Sequence, residues 1–499
     1  MKAQLPGFAR EPLVLGATAL FALLLVLYSF SIGLRATRGA SITGDEPFYL
    51  LTTQSLLQDG NLDLTRQYER QSYRSFFDHP DGLWKQSIPT EDGRLLSPHE
   101  PALSVFLLPG FAIGGLHGAQ IQMMVLTAAT FALAFFLIAS ETGALLLSWL
   151  ATTTVALTAT AFVYSTEIYP EVPAAMLLVL SLLIMRRPAL GLIHVVVLAA
   201  LLTLLAWFGM KYVPLGSFVA LYVLWRSDWR GRTSFVALSA ASAAAYIWFH
   251  FAVYDSLTAY SVNTVFEGAS TAEVLQSHLA LNERVYRLWG LFVDQRFGVG
   301  RWAPVILLVL PALPLLLKRG GLGLLALSLV AMQILIATFV AVTMMGWWFP
   351  GRTLVAVFPL FAFVLAELLI RLPVIARVGA AALGTYSLVI VVALVRATQG
   401  GDITLAVDPF DMPSDLFQVS ARLFPNYVSW TTDTVLRTIV WVSAGLSIAA
   451  LLAWRELEPS KRHPNDDEHL LAKRLGISVQ SSALAAAPPT RSAVEQRSN

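Results

Sequence analysis

Long runs of apolar residues, separated by short polar stretches, occupy most of this chain. The runs are residues 13–34, 119–140, 144–165, 172–185, 189–209, 213–225, 235–254, 303–317, 322–345, 353–370, 378–395 and 438–454. A helix needs about 20 apolar residues to cross the hydrocarbon core of a bilayer, and many of these runs reach or approach that length. Because a spanning segment must satisfy its backbone polar groups internally, the pattern predicts an all-α, polytopic membrane protein.

The composition agrees with this class. Hydrophobic residues make up 56% of the 499 residues and charged residues only 13%, whereas a soluble domain is about 25% charged. The chain has no cysteine, which excludes disulfides, thiolate metal sites and cysteine nucleophiles. The formal net charge is +2 and no basic tract is present, so nothing favours a nucleic-acid partner.

Residues 101–118 are the ambiguous apolar stretch, because Pro109 and several glycines interrupt it. The positive-inside rule helps here, since Lys and Arg concentrate in short cytoplasmic loops. If 101–118 does not cross the membrane, every later basic loop falls on the cytoplasmic side. We therefore predict an interfacial or re-entrant helix at 101–118 and about twelve transmembrane helices, with both chain ends in the cytoplasm.

This topology divides the chain into parts. Residues 1–455 form the transmembrane domain, and 35–118 form its long first extracytoplasmic loop with juxtamembrane helices. Residues 456–499 are rich in Ser, Ala, Pro and charge, a composition that predicts a disordered cytoplasmic tail. The outer side receives the long polar loops and the inner side only short basic ones, so chemistry is expected on the outer face.

Two acidic clusters fall on that outer side, Asp45 with Glu46 and Glu167 with Glu171. Carboxylates beside a bilayer are costly unless they have a function or reach water. One interpretation is a general base, with a second carboxylate that orients a substrate or holds Mg²⁺ or Mn²⁺. The other is structural: Asp45 caps the helix that Pro47 begins, and the second pair lies in a solvated turn.

Lys211 and Arg352 lie at the outer ends of apolar runs, against the positive-inside trend, and both sit among aromatic residues. They either snorkel within an aromatic belt or clamp a phosphate or pyrophosphate group at the headgroup level. Arg296 and Arg301 are weaker members of the same set. His99 opens the stretch 101–118, where it could face a cavity, and the loop lacks the histidine spacing of a zinc site.

Taken in order, these motifs resemble those of the GT-C superfamily of integral-membrane glycosyltransferases. Examples are the protein O-mannosyltransferases and the aminoarabinose transferase that acts on lipid A. The resemblance covers roughly residues 13–370. It rests on Gly44-Asp45-Glu46, Pro98-His99-Glu100-Pro101, the acidic motif at 167–171 and the Gly-Trp-Trp-x-x-Gly-Arg motif at 346–352. Mannosyltransferases have His-Pro-Pro or Lys-Pro-Pro where this chain has His-Glu-Pro, which leaves the acceptor type open.

The resemblance implies a glycosyltransferase in a bacterial inner membrane, with a polyprenyl-phosphate-linked sugar as donor and transfer on the outer face. By resemblance, Asp45 is the catalytic base with Glu46 as its neighbour. Glu167 or Glu171 then matches the second acidic group of the family. Lys211 and Arg352 contact the donor phosphate in the same comparison.

The predicted reaction is an inverting transfer. Asp45 deprotonates an acceptor hydroxyl, which attacks the sugar C1, and polyprenyl phosphate leaves with its charge stabilised by cations. The expected partners are the lipid-linked sugar, a glycan, lipid or protein acceptor, and membrane lipids. Two alternatives stay open: a transporter or flippase of a lipid-linked sugar, which needs charged groups at mid-span, and a polysaccharide ligase that uses a lipid-diphosphate donor.

Overall fold

The computed structural model describes residues 7–278, 281–406 and 409–457, so the predicted tail falls almost wholly outside the described residues. Its first compact unit ends at Leu452 and is the one described below. The longer α-helices of the described residues are α1 (Gly7–Tyr28), α2 (Glu46–Asp59), α3 (Ala102–Thr142), α4 (Leu145–Ala156), α5 (Glu171–Met185), α6 (Leu192–Phe208), α7 (Val213–Arg226), α8 (Trp229–Tyr254), α9 (Gly320–Leu335), α10 (Phe358–Arg371), α11 (Val374–Gln399) and α12 (Thr432–Leu457).

Shorter helical segments fill most of the connections. The α-helical ones are Thr65–Glu69, Ala159–Val163, Thr271–His278, Leu281–Arg284, Arg287–Val293, Val299–Trp302, Val309–Ala312 and Asp415–Ser420. The 3₁₀ segments used below are Met210–Tyr212, Ala259–Val262, Thr264–Phe266, Leu313–Arg319 and Arg352–Val357. The described residues contain no strand, and their extended pairing is a single antiparallel bridge between Ser87 and Asn263. The predicted all-α class is confirmed.

Seven helical stretches of the described residues are long and apolar enough to cross a membrane. They are Glu11–Ser31, Ala102–Thr142, Trp229–Val262, Pro304–Val340, Arg352–Arg371, Val374–Gln399 and Thr432–Arg455. Three shorter apolar helices, α4, α5 and α6, accompany them. The multi-pass membrane class is therefore confirmed, and the number of twelve spans stays a prediction.

Helix α3 contains a sharp reversal at the stretch whose crossing was ambiguous. Gly114 and Gly115 leave the helical conformation, and Gly115 has a φ of 55° that favours glycine. The chain then folds back, and the two arms are in contact. The side-chain oxygen of Gln122 accepts from the N–H of Gly110 at 2.9 Å. The arm before the turn, residues 102–113, is about 18 Å long at 1.5 Å per residue, too short for a core of about 30 Å. This geometry favours the prediction that 101–118 does not cross.

A second reversal divides Pro304–Val340 into two arms. Gly320 has a φ of 63°, and a Cβ at Gly323 would come within 1.8 Å of the carbonyl oxygen of Leu316. The 3₁₀ segment Leu313–Arg319 therefore packs directly on the start of α9, with Lys318 and Arg319 at the turn. The two predicted apolar runs 303–317 and 322–345 are separate arms, as their sequence pattern indicates.

The centre of the unit is α10, which packs against α4 and α3. Its residues from Phe358 to Leu368 are all buried, as expected for a helix that is apolar on every side. At its far end Glu367 is fully buried and accepts from Arg319 Nε at 2.5 Å and from Arg371. Nearby, Arg186 donates to Glu141 at 2.7 Å. The predicted basic loops thus gather at one end of the bundle and are tied there by ion pairs.

Helix α2 lies against the beginning of α3 at the opposite end of α10. Ser104 donates to the carbonyl oxygen of Tyr49 at 2.9 Å, and Thr53 donates to the carbonyl oxygen of Ser104 at 3.1 Å. These side-chain to backbone bonds satisfy buried hydroxyl groups, which would otherwise be costly. They also fix the first turn of α2, and with it Asp45, relative to α3.

Candidate active site

Five of the predicted site residues come together at one end of the helix bundle. Asp45 directly precedes α2, and His99 lies shortly before α3. Glu171 begins α5, Lys211 lies in the 3₁₀ turn after α6, and Arg352 begins the 3₁₀ segment that leads into α10. Asp45 and Arg352 are 307 residues apart in the chain, so only the packing of the helices brings them into contact.

The side chains form a row of alternating charges. Arg352 Nη2 donates to Asp45 Oδ2 at 2.6 Å, and Arg352 Nε lies 3.4 Å from Glu171 Oε1. Lys211 Nζ donates to the same Glu171 oxygen at 2.7 Å. Two carboxylates therefore neutralise two cations in a largely buried site. Such pairing offsets the cost of removing each charge from water.

Neither structural interpretation of Asp45 and Arg352 fits these contacts. Asp45 stands at the N-cap position of α2, but its side chain makes no capping hydrogen bond and points to Arg352 instead. Arg352 is only 9% exposed, whereas a snorkelling arginine keeps its guanidinium in water. The geometry therefore favours the functional interpretation of both residues.

Aromatic rings hold the guanidinium of Arg352 in a fixed plane. Its central carbon lies 4.0 Å from the centre of the Tyr169 ring and 4.8 Å from that of Trp348. Gly351 precedes it with a φ of 90°, and a Cβ there would come within 2.7 Å of Val299. The glycine of the predicted motif is thus required by both conformation and space. The stacked rings leave the polar edge of the guanidinium to its anionic partners.

Arg352 sets the protonation of Asp45. Burial by itself would raise the pKa of Asp45, but the positive charge of Arg352 outweighs it and holds the pKa well below its usual range. The positive charge of Lys211 acts in the same direction. Asp45 is therefore ionised and only weakly basic while it is paired with Arg352.

Glu46 points to a different partner from its neighbour Asp45. Its Oε2 accepts from the N–H of Thr43 at 3.0 Å, and its Oε1 accepts from the N–H of Ile168 at 2.9 Å. Burial raises its pKa to about 7 in spite of these two bonds. Glu46 is buried and joins the two predicted acidic stretches, so its contacts are those of a structural tie. Its predicted catalytic role stays a prediction.

Glu167 lies on the buried side of the same junction. Burial, and then the negative charge of Glu46, raises the pKa of Glu167 well above its usual value. Its Oε2 has no hydrogen-bond partner among the described residues. Of the second acidic cluster, then, Glu171 enters the row of charges and Glu167 packs beside Glu46.

His99 reaches Asp45 with the help of Gln86, a residue that no sequence motif marks. His99 Nε2 lies 2.8 Å from Gln86 Oε1 and 3.8 Å from Asp45 Oδ1. Gln86 Nε2 donates to the same Asp45 oxygen at 3.4 Å. Burial lowers the pKa of His99, so the ring is neutral near pH 7. The structure therefore places the ring of His99 next to the carboxylate of Asp45.

The neighbouring Glu100 faces away from Asp45 and anchors α3 to α8. It accepts from the hydroxyl of Tyr246 at 2.6 Å and lies 2.7 Å from Nε2 of the fully buried His250. The His-Glu-Pro departure from the mannosyltransferase motif therefore has a structural reason in this chain. The glutamate holds a contact between two helices.

Two of the predicted phosphate-binding residues contact other groups. Arg301 is buried, donates to the carbonyl oxygen of Gln295 at 2.6 Å and stacks 4.2 Å from the centre of the Phe417 ring. Arg296 lies over the ring of Phe297 at 5.9 Å. Among the contacts described for the two arginines, none is to Asp45, Glu171 or Lys211. Arg301 fixes the loop before α12, and the phosphate role of both residues finds no support in these contacts.

Arg352 also lines a pocket. Its walls are mainly apolar. The apolar residues around it include Leu291, Phe297, Met344, Met345, Trp348 and Pro350. The pocket therefore joins the cation of Arg352 to an apolar surface.

For the described residues, the predicted Mg²⁺ or Mn²⁺ stays a prediction. No group of three or more His, Asp or Glu side chains among them could hold a metal ion. The nearest carboxylate pair, Asp45 and Glu171, already binds the cations of Arg352 and Lys211. A divalent ion there would meet two positive charges without enough oxygen ligands.

Comparison of the sequence with known proteins finds no matching family model and no matching curated protein sequence. The solved structures that are similar to the chain include two of ArnT from Cupriavidus metallidurans. The apo crystal structure has 13% sequence identity and a TM-score of 0.49. The crystal structure bound to undecaprenyl phosphate has 14% identity and a TM-score of 0.46. Each similarity covers 88% of this chain and 72% of the other.

The similarity extends over most of both chains. At this identity and TM-score it assigns no activity to the present chain.

Proposed function

We propose that this protein is a membrane glycosyltransferase. It moves a sugar from a polyprenyl-phosphate donor to an acceptor hydroxyl, with Asp45 as general base. Arg352 and Lys211 bind the donor phosphate in this proposal. The acceptor is a glycan, a lipid or a protein.

The observation that carries the proposal is the 2.6 Å contact between Arg352 and Asp45. It joins an anion-binding cation to a carboxylate that can take a proton, in a site screened from bulk water. An arginine suits phosphate because its planar fork can donate two parallel hydrogen bonds. A transfer reaction needs these two functions within one substrate length of each other.

The apolar pocket beside Arg352 supports a lipid donor over a free nucleotide sugar. A phosphate held by the guanidinium would place its ester-linked chain against Met344 and Trp348, which line the pocket. These apolar walls favour an isoprenoid chain over a nucleoside diphosphate, whose polar groups would be left unpaired there.

The reaction proceeds by a single displacement with balanced atoms. The acceptor O–H proton passes to Asp45, and the acceptor oxygen attacks C1 of the sugar. The bond between C1 and the phosphate oxygen breaks, and its electron pair leaves on polyprenyl phosphate. Arg352 and Lys211 stabilise the negative charge of that leaving group, so it needs no proton. The attack from the opposite face inverts the configuration at C1.

Donor binding would also activate the base. A phosphate competes with Asp45 for the fork of Arg352, which weakens the interaction that lowers the pKa of Asp45. The carboxylate then becomes a stronger base only when the donor is present.

The extracytoplasmic face of a bacterial inner membrane is the proposed location of the site. The 3₁₀ segment Arg352–Val357 lies beside the site and leads into helix α10. The other end of α10 is Arg371, close to Arg186 and Arg319. Clusters of Lys and Arg mark the cytoplasmic side of membrane proteins. The opposite end of α10 is then the outer one.

The transporter alternative has little support in the described residues. Glu367, the clearest charged residue within an apolar run, is fixed between Arg319 and Arg371 at the basic end of α10. A transported sugar would need polar groups at mid-membrane. The ligase alternative would keep the cations but does not account for the close contact of Asp45 with Arg352.

Purified protein in nanodiscs tests the proposal. Polyprenyl-phosphate sugars serve as donors and bacterial envelope extract as acceptor, and the release of polyprenyl phosphate is measured. We expect release by the wild type and by Asp81→Asn, which changes an exposed aspartate of the same loop. We expect release by Asp45→Asn to be about 10²–10⁴-fold slower. A wild type that moves lipid-linked sugar between leaflets without cleaving it would refute the proposal in favour of a flippase.

A further inference from the structure

The side-chain amide of Gln86 contacts both Asp45 and His99. A carboxylate only accepts hydrogen bonds, so the amide nitrogen of Gln86 must face Asp45, at 3.4 Å from Oδ1. The amide oxygen then faces His99, whose Nε2 lies at 2.8 Å. Since that oxygen only accepts, Nε2 of His99 must carry the proton. One side chain thereby determines the tautomer of His99 and restrains Asp45.

The backbone around Gln86 is fixed by another loop. The carbonyl oxygen of Gln86 accepts from the N–H of Thr264 at 3.0 Å, and the N–H of Ile88 donates to the carbonyl oxygen of Val262 at 2.8 Å. The bridge between Ser87 and Asn263 lies between these two bonds. This pairing is the single β-bridge found among the described residues, and it fixes the backbone from which the Gln86 side chain extends.

His99 is equally restrained at the other end of the contact. Its ring centre lies 4.8 Å from that of Tyr49 and 6.3 Å from that of Phe48, both on the first turn of α2. The ring therefore packs on the helix that Asp45 precedes. Gln86 and His99 cannot move independently of Asp45.

The two oxygens of Asp45 have different surroundings. Oδ2 receives the 2.6 Å bond from Arg352, whereas Oδ1 has only the 3.4 Å contact with Gln86 and the 3.8 Å approach of His99. A proton from an acceptor hydroxyl would go to the less strongly bound oxygen. Oδ1 therefore marks the acceptor side of the site and Oδ2 the donor side.

We propose that Gln86 is a positioning residue that aims Asp45 Oδ1 at the acceptor and keeps the proton of neutral His99 on Nε2. The proposal rests on the glycosyltransferase function proposed above. The acceptor hydroxyl approaches Oδ1 between Gln86 and His99. The charged or titratable groups that face Asp45 are Arg352, His99, Lys211, Glu46, Tyr49, Tyr169 and Tyr260, and Glu171 acts on it through Arg352.

The first test compares Gln86→Met with Gln86→Glu in the nanodisc assay. Gln86→Met keeps the shape but removes both contacts, and we expect kcat to fall about tenfold, the equivalent of one hydrogen bond. Binding of polyprenyl phosphate should stay unchanged, because Arg352 is untouched. Gln86→Glu adds a negative charge beside Asp45, which favours the protonated acid. The acidic limb of its kcat/KM profile for the acceptor should shift to higher pH.

Gln58→Glu is the matched control, because Gln58 lies exposed on the far end of α2. It should leave the pH profile in place. A purely structural role for Gln86 would reduce donor and acceptor use together without moving the profile. An unchanged profile in active Gln86→Glu, or full kcat in Gln86→Met, overturns the proposal. If instead the wild type transfers no sugar, the proposed function itself has failed.

A second measurement needs no folded variant at Gln86. Nitrogen NMR of ¹⁵N-histidine-labelled wild type reports the tautomer of each ring, and the His99 signal is the one missing in His99→Asn. We expect a neutral ring at pH 7 with its proton on Nε2. A proton on Nδ1 alone would show that Gln86 does not face His99 as described, and would overturn the proposal.

Discussion

Replacement of Arg352 tests both halves of the site at once. Arg352→Ala removes the 2.6 Å bond to Asp45 Oδ2, the 3.4 Å approach to Glu171 and the stacking on Tyr169 and Trp348. If the guanidinium binds the donor phosphate, the variant loses a charge-assisted contact. Arg352→Lys keeps the charge but loses the fork and most of the stacking.

The expected size follows from the contact that is lost. A hydrogen bond to a charged group contributes about 1.5–3 kcal/mol, so Kd for polyprenyl phosphate should rise about 10- to 150-fold in Arg352→Ala. Arg352→Lys should recover part of this loss. The apparent affinity for the acceptor should change much less, because the acceptor approaches Asp45 Oδ1 on the other side.

The assay measures binding of polyprenyl phosphate to protein in nanodiscs, which needs no acceptor. Arg70→Ala, at an exposed arginine of the first loop, is the control and should bind as the wild type does. Arg352→Ala leaves Asp45 with an unpaired charge, so lower thermal stability is also expected. The double variant with Asp45→Asn should regain part of that stability. Wild-type donor affinity in Arg352→Ala, with the acceptor affinity lost instead, would refute the assignment of the two sides.

Asp45→Asn should lower turnover by about 10²–10⁴-fold while donor binding persists, and Asp81→Asn should retain both; near-normal turnover by the first variant would exclude Asp45 as the base. Glu46 has a raised pKa of about 7 in the folded protein, so its contribution to stability is present below about pH 4.5 and is lost as the pH rises through 7. Glu46→Gln should flatten that decline in thermal stability with pH. An unchanged pH dependence would show that ionisation of Glu46 is not its cause. In this cysteine-free chain, Gly346→Cys should react with an impermeant maleimide from outside and Arg187→Cys should not, whereas the opposite labelling would invert the topology.

The apolar pattern alone predicted which segments are helical and that the chain lies in a membrane. This works because helix formation in lipid depends on local composition, and a run of apolar residues has few other stable states there. The reversal at Gly114 and Gly115 could also be suspected from sequence, since glycine and proline interrupt the run. The contact between the two arms after the turn, which includes the hydrogen bond from Gly110 to Gln122, is seen only in the structure.

The candidate residues could be predicted as types but not as partners. Asp45 and Glu46 are adjacent and chemically alike, yet one faces Arg352 and the other accepts two backbone hydrogen bonds. Residues next to each other at the start of a helix point about 100° apart, so the surrounding elements decide which of them faces the site. Likewise, Arg301 and Arg352 have similar sequence surroundings, but packing places Arg301 against Phe417.

The sequence by itself thus determined the helices, the membrane class and the short set of residues able to carry the chemistry. The tertiary structure decided which of them meet, because Asp45 and Arg352 are 307 residues apart and their contact depends on how α2, α3 and α10 pack. It also introduced Gln86, which belongs to no motif. Its role comes from a backbone pairing with residues 262–264, and nothing in the local pattern of either loop encodes that contact.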